Sequence, residues 1–523
     1  MNVLLLSMPD SFEHMPTVAV QMPNGALASL AGNIDPHHRI AVADLVLVSD
    51  RVRETVERLV RERQPDLVGL SVMTFQRRTA GKIMALIHAL RPEARIVVGG
   101  YDPSLAPEAW MQMPDVDFIV RGEGEVTLRE LLRALEHGSG FDCILGLTWR
   151  NDVQSPDAAM VRSPHLTLAR SPDGPVARSR GWACNPSRPV HSLESGEIRL
   201  PNRGARVLKG YHMLGRPVDV VETSRGCTYD CSFCSIIEMR GRNFHTYSFE
   251  RVLADIADAR KHGARSIFLV DDNITLNVKR FESLCQAIVA AGLNDVDYTV
   301  QAMTSAIANH GEMLAPLMLR AGFRYVFLGI ENILADDLAF LKAASKNAER
   351  ANGHTVGNAT LKAIDYIHRN GMYVVGGLIV GNPDDTRESI EANLQFAAKY
   401  VDWPYIQHPT PYPRTPMTKD FVARDLIINR HLHEYDGTTA VVKTETMAAE
   451  DIEYLRWRAE RWMKTRHIPA VLRHDTRYVL THWPKMLAYT FRGSSWKTAL
   501  GLESDRKAFE RYKAMRHQER EYV

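Results

Sequence analysis

Twice along its length the chain alternates short, continuously apolar runs with segments whose apolar residues recur at helical spacing. That doubled pattern limits the fold more than any single motif. In residues 1–150 the apolar runs are NVLLLSM, RIAVADLVL, DLVGLSV, ARIVVGG and VDFIV, and helical stretches such as Val52 to Arg63 and Arg78 to Leu90 lie between them. Strands apolar on both faces and separated by helices predict a parallel sheet covered on both sides, an α/β doubly wound domain. In residues 218–428 the runs are VDVVETS, SIFLVDD, VDYTVQAM, YVFLGIEN, MYVVGGLIVG and PYIQHP, with helices expected near 248–262, 279–291, 311–320, 357–370 and 386–399. Six such repeats predict a partial (β/α)6 barrel, whose chemistry belongs at the carboxyl ends of its strands.

The remaining segments read differently. Residues 151–217 are rich in Pro, Ser, Arg and Asp with little periodicity and are expected to be an extended linker. Residues 429–523 form a C-terminal helical region. Over 461–523 there are 14 Lys and Arg against 6 Asp and Glu, and Trp483, Met486, Leu487, Tyr489, Phe491 and Trp496 mix with Lys485, Arg492 and Lys497. A helical cap on the barrel is the favoured expectation; basic and aromatic residues together would also let the tail touch a membrane face. With 523 residues the chain exceeds one hydrophobic core. Its net charge of +2 gives no reason to invoke nucleic acid, and six cysteines in so long a chain point to a reducing cytoplasm. No signal peptide and no membrane-spanning run is read.

Three of those six cysteines, Cys227, Cys231 and Cys234, share the stretch SRGCTYDCSFCSI just after the first barrel strand. Thiolates this close converge on one metal centre and suit zinc or an iron–sulfur cluster. A structural zinc site needs a fourth ligand, and His245, the one near candidate, stands at the wrong spacing. Three cysteines on a four-iron cluster leave one iron without a protein ligand.

Cys-x3-Cys-x2-Cys with an aromatic residue, Phe233, before the last cysteine resembles the signature of the radical S-adenosylmethionine (SAM) superfamily. The resemblance implies a 4Fe-4S cluster held by Cys227, Cys231 and Cys234, whose open iron chelates SAM and cleaves it reductively to a 5′-deoxyadenosyl radical. It also implies SAM contacts from Phe233, from Asp271 and Asp272 where the family has Gly-Gly-Glu, from Gln301, from Glu331 in LGIEN, and from Gly377 and Gly381 in GGLIVGNPDDT. Taken alone, each polar residue could as readily tie down a strand end.

A doubly wound domain ahead of such a barrel is similar to the Rossmann-like cobalamin-binding domain found in one class of the family. The strand-end loops then imply corrin contacts at Thr74, Gly99, Gly100, Ser104, Gly122, Glu123 and Gly124, although these glycines also suit ordinary βα turns. The usual Asp-x-His-x-x-Gly motif is absent, and IDPHHR (34–39) has the wrong pattern. The class includes hopanoid and bacteriochlorophyll methylases and the anaerobic magnesium-protoporphyrin ester cyclase. It implies a methyltransferase acting on an unactivated carbon, with an oxidative cyclase or other non-methylating radical enzyme as the alternative and flavodoxin or ferredoxin as electron donor. A methylthiotransferase is disfavoured, since its front domain would supply cysteines and this one holds only Cys143. In the loop after the sixth strand, Tyr405, His408 and Tyr412 are candidate catalytic or substrate residues, and the aromatic surroundings suit a hydrophobic substrate such as a polycyclic lipid or tetrapyrrole.

Overall fold

The computed structural model describes residues 1–11, 20–151, 177–179, 181–190, 192–351, 354–466, 500–519 and 521–523, with isolated positions between 469 and 498. Five parallel strands, Asn2–Ser7, Arg39–Asp44, Leu67–Ser71, Arg95–Gly99 and Phe118–Val120, make the front sheet, in the spatial order second, first, third, fourth, fifth. The order reverses beside the first strand, and helices lie over both faces, so one core holds Val56, Ile83 and Trp110 and the other Leu27, Leu128 and Leu131. This is the doubly wound topology that the alternation predicts.

The sheet continues antiparallel through Leu147–Arg150, Trp182–Cys184 and Ala177–Ser179. Two strands of this sheet thus come from the stretch expected to be a linker. Trp182 and Ala183 are buried, and those apolar contacts outweigh the polar, proline-rich composition around them. Further along the same stretch, Arg203 is buried and binds Asp219 at 3.0 Å, Asp255 at 2.6 Å and Asp258 at 2.9 Å, which fixes the segment against the barrel. Positions 152–176 lie outside the described residues.

Six parallel strands form the barrel: Arg216–Val221, Ser266–Leu269, Asp297–Met303, Phe323–Glu331, Tyr373–Ile379 and Trp403–Gln407. They pair strictly in sequence order in an open, curled sheet. On the first strand's side the sheet is extended by His212–Met213 and then by Val20–Gln21, a piece of the front domain. At the other edge helix Ala449–Arg466 packs on the sixth strand, where Glu460 accepts the edge N–H of Ile406 at 3.4 Å. Covering an edge in this way removes a template for aggregation.

One helix starts well before its expected place. Helix Thr304–Arg320 follows the third strand without a loop and runs through both Gly311 and Pro316. Gly311 is no breaker here: a Cβ on it would stand 2.5 Å from Cδ2 of Tyr366 in helix Thr360–Arg369, so the glycine lets two helices meet. Among the described residues no helix is long and apolar enough to cross a membrane. Met486, Leu487, Tyr489, Phe491, Trp496, Lys485 and Arg492, the residues behind the membrane-contact expectation, lie outside the described residues.

Candidate functional site

The cysteine loop leaves the first barrel strand and is pinned by the strand beside it. At the end of the second strand Asp271 accepts the Thr223 N–H at 2.6 Å and the Ser224 hydroxyl at 2.6 Å, and also takes the Thr223 hydroxyl. Asp272 accepts the Gly226 N–H at 2.7 Å and binds Arg240 at 3.0 Å. Gly226 has φ +89°, and a Cβ there would meet the Asn243 carbonyl at 2.4 Å, so only glycine makes this turn. Between the second and third cysteines, Ser232 donates its N–H to Leu341 and its hydroxyl to Phe340, both at 3.0 Å, and accepts the Met417 N–H at 2.9 Å. The loop is therefore held from three sides.

Its sulfurs open on a cavity of about 410 Å³ at the carboxyl ends of the barrel strands. Cys227, Cys231 and Cys234 all line it, and Asn273 donates to the Cys227 sulfur at 3.6 Å. Burial pushes the Cys231 thiol up to about 11 and the Cys234 thiol up to about 12, against the pull of Lys346. Thiols so placed become thiolates only when a cation stands among them, which is how metal centres deprotonate their cysteines. Among the described residues, the one set of three ligand groups within 4.8 Å of one another is His37, His38 and Glu136. The three thiols line one cavity, and a set of three cysteines there suits an iron–sulfur cluster.

The rest of the cavity is divided. Glu331 and Lys346 form an ion pair of 3.0 Å on its polar side. Glu331 holds φ +60°, a strained conformation for a non-glycine residue, and a Cβ at Gly329 would sit 2.8 Å from its carboxylate. Phe327, Met303, Ile379 and Tyr405 line the apolar side. Gln301, Phe233 and Gly377 also face the cavity.

Other expected site residues are placed elsewhere. Asp271 borders the cavity, but its oxygens are taken by Thr223 and Ser224. Gly381 is not among the lining residues; it turns at φ +100° with its N–H on Asp385 at 2.8 Å and Ile452 packed against it. His408 is buried behind the fifth strand, its Nδ1 3.2 Å from the Val380 carbonyl, and Tyr412 donates to the Tyr435 carbonyl at 3.1 Å. Neither lines the cavity, because each spends its polar group tying a loop to a neighbour. Of the three residues expected in the loop after the sixth strand, Tyr405 alone lines it, and the structure places it within that strand, opposite Gly377.

In the front domain, Gly99, Gly100, Ser104, Gly122, Glu123 and Gly124 gather at the carboxyl ends of the fourth and fifth strands. Ser104 ties the two turns together, donating to the Gly100 carbonyl at 2.6 Å and accepting the Gly122 N–H at 2.9 Å. Gly100, at φ +100°, is glycine because a Cβ would meet Val72 backbone at 3.0 Å, whereas a Cβ at Gly122 would meet nothing within 4 Å. Gly122 thus leaves backbone open to a large planar ligand at the mouth of the sheet, which fits a corrin. Thr74 is buried at the same end. His37 and His38 pair with Glu136 at 2.9 and 3.7 Å, ahead of the second strand and so at the opposite end of the sheet.

The two domains meet beside the cysteines. Arg225, two residues before Cys227, reaches into the front domain and binds Glu125 at 2.5 Å and Glu123 at 3.5 Å, with Glu222 at 2.8 Å on its own side. Burial works against the Glu125 charge, yet the Arg225 guanidinium outweighs it and holds that carboxyl at about 2. Several cavity residues carry no signal in the sequence, among them Met303, Phe327, Ile379, Lys346 and Tyr101. Lys346 follows the fourth strand in a segment without a motif, and Tyr101 is the residue after the Gly99–Gly100 pair.

Comparison with known proteins accounts for both halves. The B12 binding domain family matches residues 16–132, and the Radical SAM superfamily matches residues 221–397. Together the matches span more than half the chain, which belongs to the class of radical SAM enzymes that carry a B12-binding domain. An uncharacterised methyltransferase of Pyrococcus horikoshii is 28% identical, over 87% of this chain and 90% of that protein. The anaerobic magnesium-protoporphyrin IX monomethyl ester cyclase of Rubrivivax gelatinosus is 24% identical, over 74% of this chain and 66% of the cyclase. Among solved structures, the radical SAM methyltransferase TsrM of Kitasatospora setae, with cobalamin and a 4Fe-4S cluster bound, superposes with a TM-score of 0.62 at 21% identity, over 82% of this chain and 79% of TsrM. That likeness is one of fold.

Proposed function

We propose that the chain cleaves SAM reductively at a 4Fe-4S cluster held by Cys227, Cys231 and Cys234 and, with cobalamin in the front domain, methylates an unactivated carbon of a hydrophobic substrate. The observation that carries this reading is a shared wall. The cavity onto which the three thiols open is closed on one side by Tyr101 of the B12-binding domain, so ligands of the two domains meet in one space. When bound, the cluster and SAM supply a 5′-deoxyadenosyl radical, and cobalamin supplies the methyl group; the difficult chemistry belongs to these cofactors.

The chain's own residues bind and orient. Glu331 and Lys346 present one negative and one positive group beside Cys231, a match for the ammonium and carboxylate of SAM. Asp271 and Asp272 already serve the cysteine loop, so the amino group falls to Glu331. Gln301 and Gly377, at the ends of the third and fifth strands, take the adenosyl end. Phe327, Met303 and Ile379 exclude water and suit an apolar substrate, with Tyr405 on the same wall. The strand-end turns at Gly99, Gly100, Gly122 and Gly124 hold the corrin through their backbone. The electron is delivered by a flavodoxin- or ferredoxin-type carrier.

The test is anaerobic reconstitution with iron, sulfide and hydroxocobalamin, followed by reduction with SAM present. The absorption spectrum reports cluster and cobalamin separately, and release of 5′-deoxyadenosine reports cleavage. Deuteriomethyl-SAM passes its label to the product of a methyltransferase; an unlabelled product assigns the cyclase reading, which the likeness to the Rubrivivax gelatinosus protein favours. Absence of 5′-deoxyadenosine overturns both.

A further inference from the structure

Among the described residues, Tyr101 is the one front-domain side chain in the wall of the cysteine-lined cavity. It opens the short helix Tyr101–Leu105, directly after Gly99 and Gly100, and that helix packs on helix Ile236–Arg240 just beyond the cysteine loop. Its phenol is half-buried and stands among Asp272, Arg240 and Cys234, while its hydroxyl makes no hydrogen bond among the described residues.

The backbone beneath it is fixed. Asp102 receives Arg77 through Nε at 2.7 Å and a terminal nitrogen at 2.8 Å, receives the Trp110 indole N–H at 2.9 Å, and sends its own N–H to the Val72 carbonyl at 3.2 Å. Ser104, three residues on, clasps Gly100 and Gly122. One rigid turn therefore presents backbone to the mouth of the front sheet and a free hydroxyl to the barrel cavity. A polar group held so firmly with nothing to bind is built for a ligand.

We propose that Tyr101 is a positioning residue by which the front domain sets the seat of the barrel's ligand: its hydroxyl hydrogen-bonds the SAM molecule beside Cys234, and the Gly99–Ser104 turn makes that bond depend on what the front sheet holds. The inference rests on the reading under Proposed function. Binding at the two sites is then coupled, and a coupling of this kind is reciprocal.

The test uses the full chain, cluster-loaded under anaerobic conditions, with S-adenosylhomocysteine as an unreactive probe titrated with and without hydroxocobalamin. Tyr101→Phe keeps the ring and removes the hydroxyl. It is expected to weaken the probe about fivefold, the scale of one neutral hydrogen bond, and to leave hydroxocobalamin affinity unchanged in the probe's absence. It is also expected to abolish the difference in probe affinity that hydroxocobalamin makes in the native chain. Equal probe affinity in native and Tyr101→Phe protein overturns the proposal, as does a hydroxocobalamin effect that survives the substitution. Failure of the native, cluster-loaded chain to bind the probe overturns the SAM reading itself and is a separate outcome. Iron content and near-ultraviolet circular dichroism check each variant, and if Tyr101→Phe loses iron, the same titration on Tyr101→His decides.

Discussion

Beneath the cysteine loop, Asp271 is wholly buried, and its three hydrogen bonds do not offset the loss of water around its charge, so burial pushes its carboxyl up to about 6 from the usual 3.8. A carboxyl raised by folding stabilises the fold fully below its unfolded value. That stability is lost as pH climbs through about 6, a change on the order of 3 kcal/mol. Denaturant titrations of the cluster-free native chain are expected to lose that amount between about pH 4 and pH 7 relative to Asp271→Asn, and parallel curves for the two proteins would exclude it. Cysteine substitutions divide sharply. Cys227→Ala, Cys231→Ala and Cys234→Ala are each expected to abolish the visible absorption of the cluster and all 5′-deoxyadenosine release. Cys285 is fully buried in the core behind the second strand, so Cys285→Ala is expected to keep both and to cost about 1 kcal/mol, measured by denaturation. That Cys227, Cys231 and Cys234 line one cavity was legible because their spacing is a statement about one loop. Lys346 and Tyr101 were not, since what makes them matter is a fold that brings separate segments to one cavity.

Helices Thr304–Arg320 and Thr360–Arg369 touch where Gly311 meets the ring of Tyr366, and the contact has no slack. Gly311→Ala is expected to destabilise the chain by about 1–3 kcal/mol through overpacking, whatever the gain in helix propensity. Adding Tyr366→Ala should restore more of that loss than the two single effects predict, and strict additivity in the double-mutant cycle would show that the ring is not the obstacle. The same glycine explains why the start of this helix was hidden: a Gly in a polar stretch reads as punctuation until its neighbour is seen. The strands were clearer, since a parallel strand buried on both faces is a continuous apolar run, and all eleven parallel strands coincide with runs read from the sequence. The hairpin Ala348–Ala351 with His354–Asn358 offered no such run, and its pairing is polar on both strands. His408 and Tyr412 show the converse: spacing placed them near the right strand but did not reveal that their polar atoms face neighbouring backbone.

Across the whole molecule, the two domains are bound by charge as well as by packing. Arg225 faces three acidic side chains, two of them from the front domain, and removing it leaves buried carboxylates uncompensated. Arg225→Met is expected to cost about 3–5 kcal/mol and to speed hydrogen exchange both in the Arg121–Glu125 turn and in the loop that carries the cysteines. Exchange that changes in one of the two alone would show that the domains are not coupled through this residue. The short strand Val20–Gln21 adds an order in time to this union. Its partner, His212–Met213, is synthesised far later, so a nascent chain must wait with its front domain incomplete at that edge until the barrel sheet begins. Contacts at such long sequence separation form slowly, and domains generally fold from the amino end as they emerge. One segment of the front domain therefore finds its partner only as the barrel sheet begins, after every strand of the front sheet has been synthesised.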